Sequence, residues 1–188
     1  MKQLITLTFF LLTFTAFAQK PCEYSTNVND SIGSYKVTNE YMISEKYFGG
    51  TFDYVFFALA QTDGLPTLNL QLIQKSKDFI KANCFDKNSK VFLQLENGKI
   101  VTLIHIDKES CGTLIRDEKG FDNRINTGIF MFMKDNFEDL KKSPVSIMRI
   151  KYLTTVEDYI VKRDLTSELN GKVYHPNTYF MENIRCVE

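Results

Sequence analysis

Little in this chain can do chemistry by itself. It holds two histidines, His105 and His175, and four cysteines, Cys22, Cys84, Cys111 and Cys186. An imidazole base needs a carboxylate to orient it and a nucleophile beside it. His105 lies in an apolar run and His175 just before Pro176, so a strand role and a turn role are expected. Two histidines cannot build a His-rich metal centre. A mixed Cys/His zinc site needs close ligand pairs such as C-x₂₋₄-C, which the chain lacks. Cys111-Gly112 would suit a thiol nucleophile, but an oxidising compartment would favour a disulfide there.

The acidic clusters are equally reserved. Asp86-Lys87-Asn88-Ser89-Lys90 begins like a calcium loop. Val91 then occupies the glycine position and Asn97 the place of the closing glutamate, so a turn is expected. Asp122-Asn123-Arg124 has oxygen ligands without a supporting pattern. Glu138-Asp139 and Glu157-Asp158 are neighbours in sequence, whereas a glycosidase dyad is spaced across a cleft. No G-x-S-x-G, phosphate-loop or dinucleotide fingerprint occurs. The sequence therefore assigns no catalytic, cofactor-binding or metal-ligating residue and implies no cofactor.

The first residues speak to location. Residues 1–18 carry one lysine, an apolar stretch over 4–17, and Ala16-Phe17-Ala18 before Gln19. This is the layout of a secretory signal peptide cleaved after Ala18. It resembles the leaders of exported proteins of Gram-negative bacteria, which implies a periplasmic or secreted location and no particular activity. Lys20-Pro21 before Cys22 does not suit a lipoprotein. Losing Lys2 shifts the balance of 23 basic and 23 acidic side chains to about −1, which recruits neither nucleic acid nor an anionic membrane. No later stretch is long and apolar enough to span a bilayer. Residues 19–188 fit a single exported domain.

An even cysteine count in an exported chain suggests disulfides, with three possible connectivities. Reduced, buried cysteines are the alternative. Residues 91–106, VFLQLENGKIVTLIHI, flank Asn97-Gly98 with apolar runs, a strong hairpin signal. A two-residue turn there would set Glu96 opposite Lys99, Leu95 opposite Ile100, Leu93 opposite Thr102 and Val91 opposite Ile104. The same register, extended past the open end, brings Cys84 towards Cys111. That pairing is favoured, and it leaves Cys22 to join Cys186.

Other strands follow the same pattern. Residues 51–61 and 67–74 surround Asp63-Gly64, pairing Leu59 with Leu68, Phe57 with Leu70 and Val55 with Leu72. Residues 22–29, 35–43, 127–133, 145–153 and 158–162 also lean to strand. Residues 75–83 fit a helix or a further strand equally, and 116–126 read as an exposed loop. Asp135 with Glu138 makes a capping box for a short helix over 135–142. Pro176 opens a closing helix with Phe180, Ile184 and Val187 as its apolar stripe. The fold class is mainly β: an antiparallel two-sheet sandwich with one or two short helices, built from tight hairpins.

Two functions compete, with a purely structural envelope or adhesion module, recognisable by self-association, as a third reading. One is a non-enzymatic exported module that binds a protein or another envelope component. The other is an exported hydrolase with a dispersed site, which needs a histidine in a cleft beside a serine or a carboxylate. An exposed apolar patch would favour the first.

Overall fold

The computed structural model describes residues 21–133 and 137–188. The leader and Asp135 lie outside them. Thirteen strands are present among the described residues: β1 Tyr24–Asn29, β2 Ser34–Thr38, β3 Tyr41–Phe48, β4 Thr51–Thr62, β5 Leu65–Ser76, β6 Lys90–Leu95, β7 Ile100–His105, β8 Thr113–Arg116, β9 Asp122–Phe132, β10 Val145–Lys151, β11 Val156–Ile160, β12 Leu165–Thr166 and β13 Val173–Tyr174. The helices are α1 Phe137–Leu140 and α2 Tyr179–Asn183, the latter between 3₁₀ turns at Pro176–Thr178 and Ile184–Val187. No described helix is long and apolar enough to cross a membrane.

Eleven of the strands hydrogen-bond into one antiparallel sheet. The two separate sheets expected from the sequence are replaced by a single ladder, β1-β2-β4-β5-β9-β7-β6-β10-β11. The reason lies in the long strands. β4 gives one edge to β5, and its other edge serves β2 and β3 in turn. β9 does the same with β5 on one side and β7 and β8 on the other. Strand twist then curls the ladder. Inward side chains from both arms meet in one core, including Phe57, Leu70, Phe130, Met148 and Ile150. Residues 116–126, expected as a loop, contain the end of β8 and the start of β9. Only 117–121 turn, held by Asp117, whose Oδ1 accepts from the amides of Lys119 and Phe121.

The β4–β5 hairpin has the register its sequence suggests: Leu59–Leu68, Phe57–Leu70 and Val55–Leu72. Asp63 and Gly64 both have positive φ, 48° and 82°, as a type I′ turn requires. The β6–β7 hairpin differs by one residue. Gln94 faces Ile100, Leu93 faces Val101 and Val91 faces Leu103. Gly98 has φ 83° but Asn97 is not left-handed. The Leu95 amide donates to the Lys99 carbonyl at 2.9 Å and the Gly98 amide to Leu95 at 3.0 Å, the pattern of a three-residue loop with a glycine bulge. One residue of slip exchanges the two faces. Val101, Leu103 and His105 therefore point inward, while Ile100 and Ile104 lie on the outer face.

Further contacts close the fold. Of residues 75–83, open between helix and further strand, Lys75 and Ser76 end β5 and the rest form neither. Phe85 crosses the core and bridges Ser110. A side chain at Gly128 would run into the rings of Phe85 and Phe130, at 3.0 and 2.9 Å, so glycine lets Phe85 lie on β9. The hairpin β12–β13 covers the outer side of β3–β4, where Met42, Tyr54 and Leu165 make a second small core. At one end of the curl, Phe180, Ile184 and Val187 are buried, and Gln61 donates to the carbonyls of Val187 and Glu188.

Two disulfides pair Cys84 with Cys111 and Cys22 with Cys186. They close loops of very different length, with separations of 27 and 164 residues. Cross-link entropy grows with the logarithm of loop length, so the longer closure is worth about 1.5 kcal/mol more. Urea unfolding of the Cys22→Ser/Cys186→Ser and Cys84→Ser/Cys111→Ser double variants should show that difference. Equal losses would mean that local packing outweighs loop closure.

Candidate functional site

The inner face of the sheet changes character along its strands. Leu59, Leu68 and Phe130 are cross-strand neighbours on β4, β5 and β9, and all three are buried. Three pair-steps away the same face carries Asp53, Gln74 and Arg124 in one row. Val55, Leu72 and Asn126 make the row between apolar and polar. Opposite stand Tyr152 just after β10, Glu157 and Tyr159 on β11, and Asn83 from the segment before β6. Together they enclose a cavity of about 20 Å³, room for about one water.

This polar end is tightly bonded. Tyr159 Oη donates to Glu157 Oε2 at 2.7 Å, and Asn83 Nδ2 donates to Glu157 Oε1 at 2.7 Å. Thr155 Oγ1 donates to Asn83 Oδ1, and Asn126 Nδ2 to the Asn83 carbonyl at 2.6 Å. Gln74 Nε2 donates to Asp53 Oδ1 at 2.7 Å. Arg124 donates to the Cys111 carbonyl, while its buried Nε has no protein acceptor. A water in the cavity would satisfy that donor. With both Glu157 oxygens accepting, the arrangement is a hydrogen-bonded seal over the core. Burial pushes the ionisation of Tyr159 and Tyr152 well above the usual phenol range, and the Glu157 carboxylate adds to it.

The histidines lie elsewhere and apart. His105 is only 5% exposed and sits between the rings of Phe85 and Phe130. Its Nδ1 lies 2.9 Å from the Asp86 carbonyl, so that nitrogen carries the proton. Its Nε2 is buried without a protein partner. Asp86 itself bonds Ser89 and Asn88, which makes the calcium-like segment a turn. His175 is exposed, and its Nδ1 is 2.8 Å from Asp164. The nearby Thr178 hydroxyl donates to Glu182 at 2.6 Å, away from the ring. Cys111 is held in its disulfide. On α1, Glu138 and Asp139 pair with Lys141 and Lys99. Glu157 points into the seal and Asp158 to the outside, as strand neighbours must. Asp122 lies beside Arg116.

The outer face of β7, β6, β10 and β11 is the other notable surface. Across the four strands runs a row of Ile100, Gln94, Ile147 and Ile160. The next row is Thr102, Phe92, Arg149 and Asp158, and a third is Ile104, Lys90, Lys151 and Val156. Ile160 is 76% exposed, Ile100 60% and Val156 56%. Phe92, Ile100 and Ile147 line a shallow hollow of about 230 Å³. Arg149 clamps Asp158 with two bonds of 2.6 and 2.7 Å, and this pairing holds the Asp158 carboxyl below its usual range. No described element covers this face as β12–β13 covers β3–β4.

Neutral tyrosines in the seal link stability to alkaline pH. Their folded-state ionisation is raised, so their contribution is complete below the ordinary phenol pKa of about 10 and is lost as pH climbs beyond it. Spectrophotometric titration at 295 nm should show Tyr152 and Tyr159 silent until the protein unfolds. Tyr159→Phe loses the bond to Glu157 and is less stable at neutral pH, but its stability should fall less steeply above pH 10 than that of the unaltered protein. Titration of all tyrosines in the native state would overturn this account.

No family model, no curated protein and no solved structure matches the chain.

Proposed function

We propose that this protein is an exported, non-enzymatic binding module that docks a protein partner on the outer face of β7, β6, β10 and β11. The carrying observation is the uncovered row Ile100–Gln94–Ile147–Ile160, apolar at all but Gln94. Exposed apolar patches with polar rims mark interaction surfaces, and here Gln94, Arg149 and two lysines border the isoleucines. The charges on this face specify the partner. Lys90, Arg149 and Lys151 outnumber Asp158, so the complementary surface is apolar with an acidic rim. Both disulfides suit an oxidising compartment, and export after cleavage behind Ala18 fits them. The hydrolase alternative has less support: His105 is sealed in the core, and the hydroxyl beside His175 is committed to Glu182.

The test is quantitative capture from the protein's own envelope extract. Ile100→Glu and Ile147→Glu should each lower retention of the captured partner roughly tenfold or more, since each loses about 2 kcal/mol of apolar burial and adds a repelling charge. Leu169→Glu, at an exposed position elsewhere, should retain it. Equal retention by all variants would sink the proposal. So would a dimer in sedimentation that Ile100→Glu dissolves, because a second copy would then be the occupant.

A further inference from the structure

The two ends of the curled sheet approach without joining. β3 pairs only with β4, and β11 only with β10. No backbone hydrogen bond links β3 to β11. Between them lies a cleft of about 270 Å³, bordered by Ser44 and Lys46 on one side and by Asp158, Ile160 and Lys162 on the other. Lys46 reaches across it, with Nζ 4.8 Å from the centre of the Tyr159 ring.

The hydrogen bonds between β10 and β11 fix which backbone groups face this cleft. The Tyr152 amide donates to Thr155 and the Val161 amide to Ser146, so Glu157, Tyr159 and Val161 bond towards β10. The N–H and C=O groups of Asp158 and Ile160 consequently point away, into the cleft. On β3, the two-glycine turn at Gly49-Gly50 closes on the Phe48–Thr51 pair. Phe48, Lys46 and Ser44 bond towards β4, and the backbone groups of Tyr47 and Glu45 are turned outward. The cleft is thus bounded by two unsatisfied strand edges, the ordinary template for strand addition.

Charge selects the occupant. Glu45 is committed to the amides of Glu168 and Leu169, both at 3.1 Å, and Asp158 to Arg149. Lys46 has only its ring contact, and Lys162 makes no ion pair among the described residues. The uncommitted charge around Ile160 is therefore positive. We propose that this cleft receives an extended, acidic segment of a partner polypeptide as an added strand, with an apolar side chain over Ile160 and carboxylates near Lys46 and Lys162. This rests on the protein-binding function proposed above, and it deepens it by giving the partner's form.

The probe is a fluorescein-labelled heptapeptide of alternating valine and glutamate, with its valine–lysine counterpart as control. Fluorescence anisotropy reads binding to the mature protein, and amide hydrogen exchange reads its place. The acidic peptide should bind at least tenfold tighter than the basic one and slow exchange at Asp158 and Ile160. Ile160→Pro removes one cleft-facing donor and spares every bond to β10, so it should fold and lose binding tenfold or more. Lys46→Glu/Lys162→Glu should do the same, while Leu114→Glu, at an exposed position on β8, should leave peptide binding unchanged. If partner capture still depends on Ile100 but the peptide neither binds nor protects these amides, the strand-addition proposal falls and the face proposal stands. Equal binding of both peptides, or protection that grows with protein concentration alone, overturns it as well.

Discussion

Two left-handed residues, Asp63 and Gly64, hold the register on which the rest of the sheet depends. Their turn ties two twelve-residue strands so that Val55, Phe57 and Leu59 share a face with Leu68, Leu70 and Leu72. β9 then pairs with β5 from Thr67–Met131 to Ser76–Asp122 and inherits the same faces. A slip of one residue at the turn would put those leucines in water. Asp63 also accepts the Ser34 amide at 2.8 Å, which docks β2 beside the turn. The covalent links sit around this ladder. Cys22–Cys186 joins the first strand to the closing turn, and Cys84–Cys111 lies beside the Phe85–Ser110 bridge where Phe85 enters the core.

The two hairpins show what a sequence can and cannot specify. Asp-Gly before the clean alternation of β5 leaves one register, because only one puts Leu68, Leu70 and Leu72 on the inside. Asn-Gly in 91–106 allows two, since β6 and β7 carry apolar side chains on both faces. Tertiary contacts decide. The Glu96 amide donates to the Pro144 carbonyl at 2.9 Å and the Asn97 amide to Ser143 Oγ at 3.2 Å. These bonds come from a segment 46 residues or more away, beyond the reach of local pattern. The consequence is large: His105 moves into the core, and Ile100 moves to the face that carries the proposed function.

The polar seal was equally hard to foresee. Its residues come from β4, β5, β9, β11 and two connections, with no local motif among them. A trace existed in the alternation. Asp53 and Gln74 continue the inward parity of Val55 and Leu72 with polar side chains, which signals the place where the core ends. Which groups face them across the curl follows only from the folded ladder. The continuous sheet was hidden for the same reason. Neither β4 nor β9 announces that two strands will share one of its edges.

The helical end is closed by Phe180, Ile184 and Val187, and the other end by Tyr152, Glu157 and Tyr159. The aromatic outer side of β4 is covered by β12–β13. The outer face of β7–β6–β10–β11 is left open, as is the cleft to β3 that adjoins it through Asp158. β11 belongs to both. Its odd residues, Glu157 and Tyr159, seal the interior, and its even residues, Val156, Asp158 and Ile160, present side chains to the face and backbone to the cleft. A single five-residue edge strand thus separates a satisfied interior from an unsatisfied exterior. An uncovered edge of this kind invites aggregation unless something occupies it or charge guards it. Here Lys46 and Lys162 supply the guarding charge, and the same charge favours an acidic strand over a second copy of this edge.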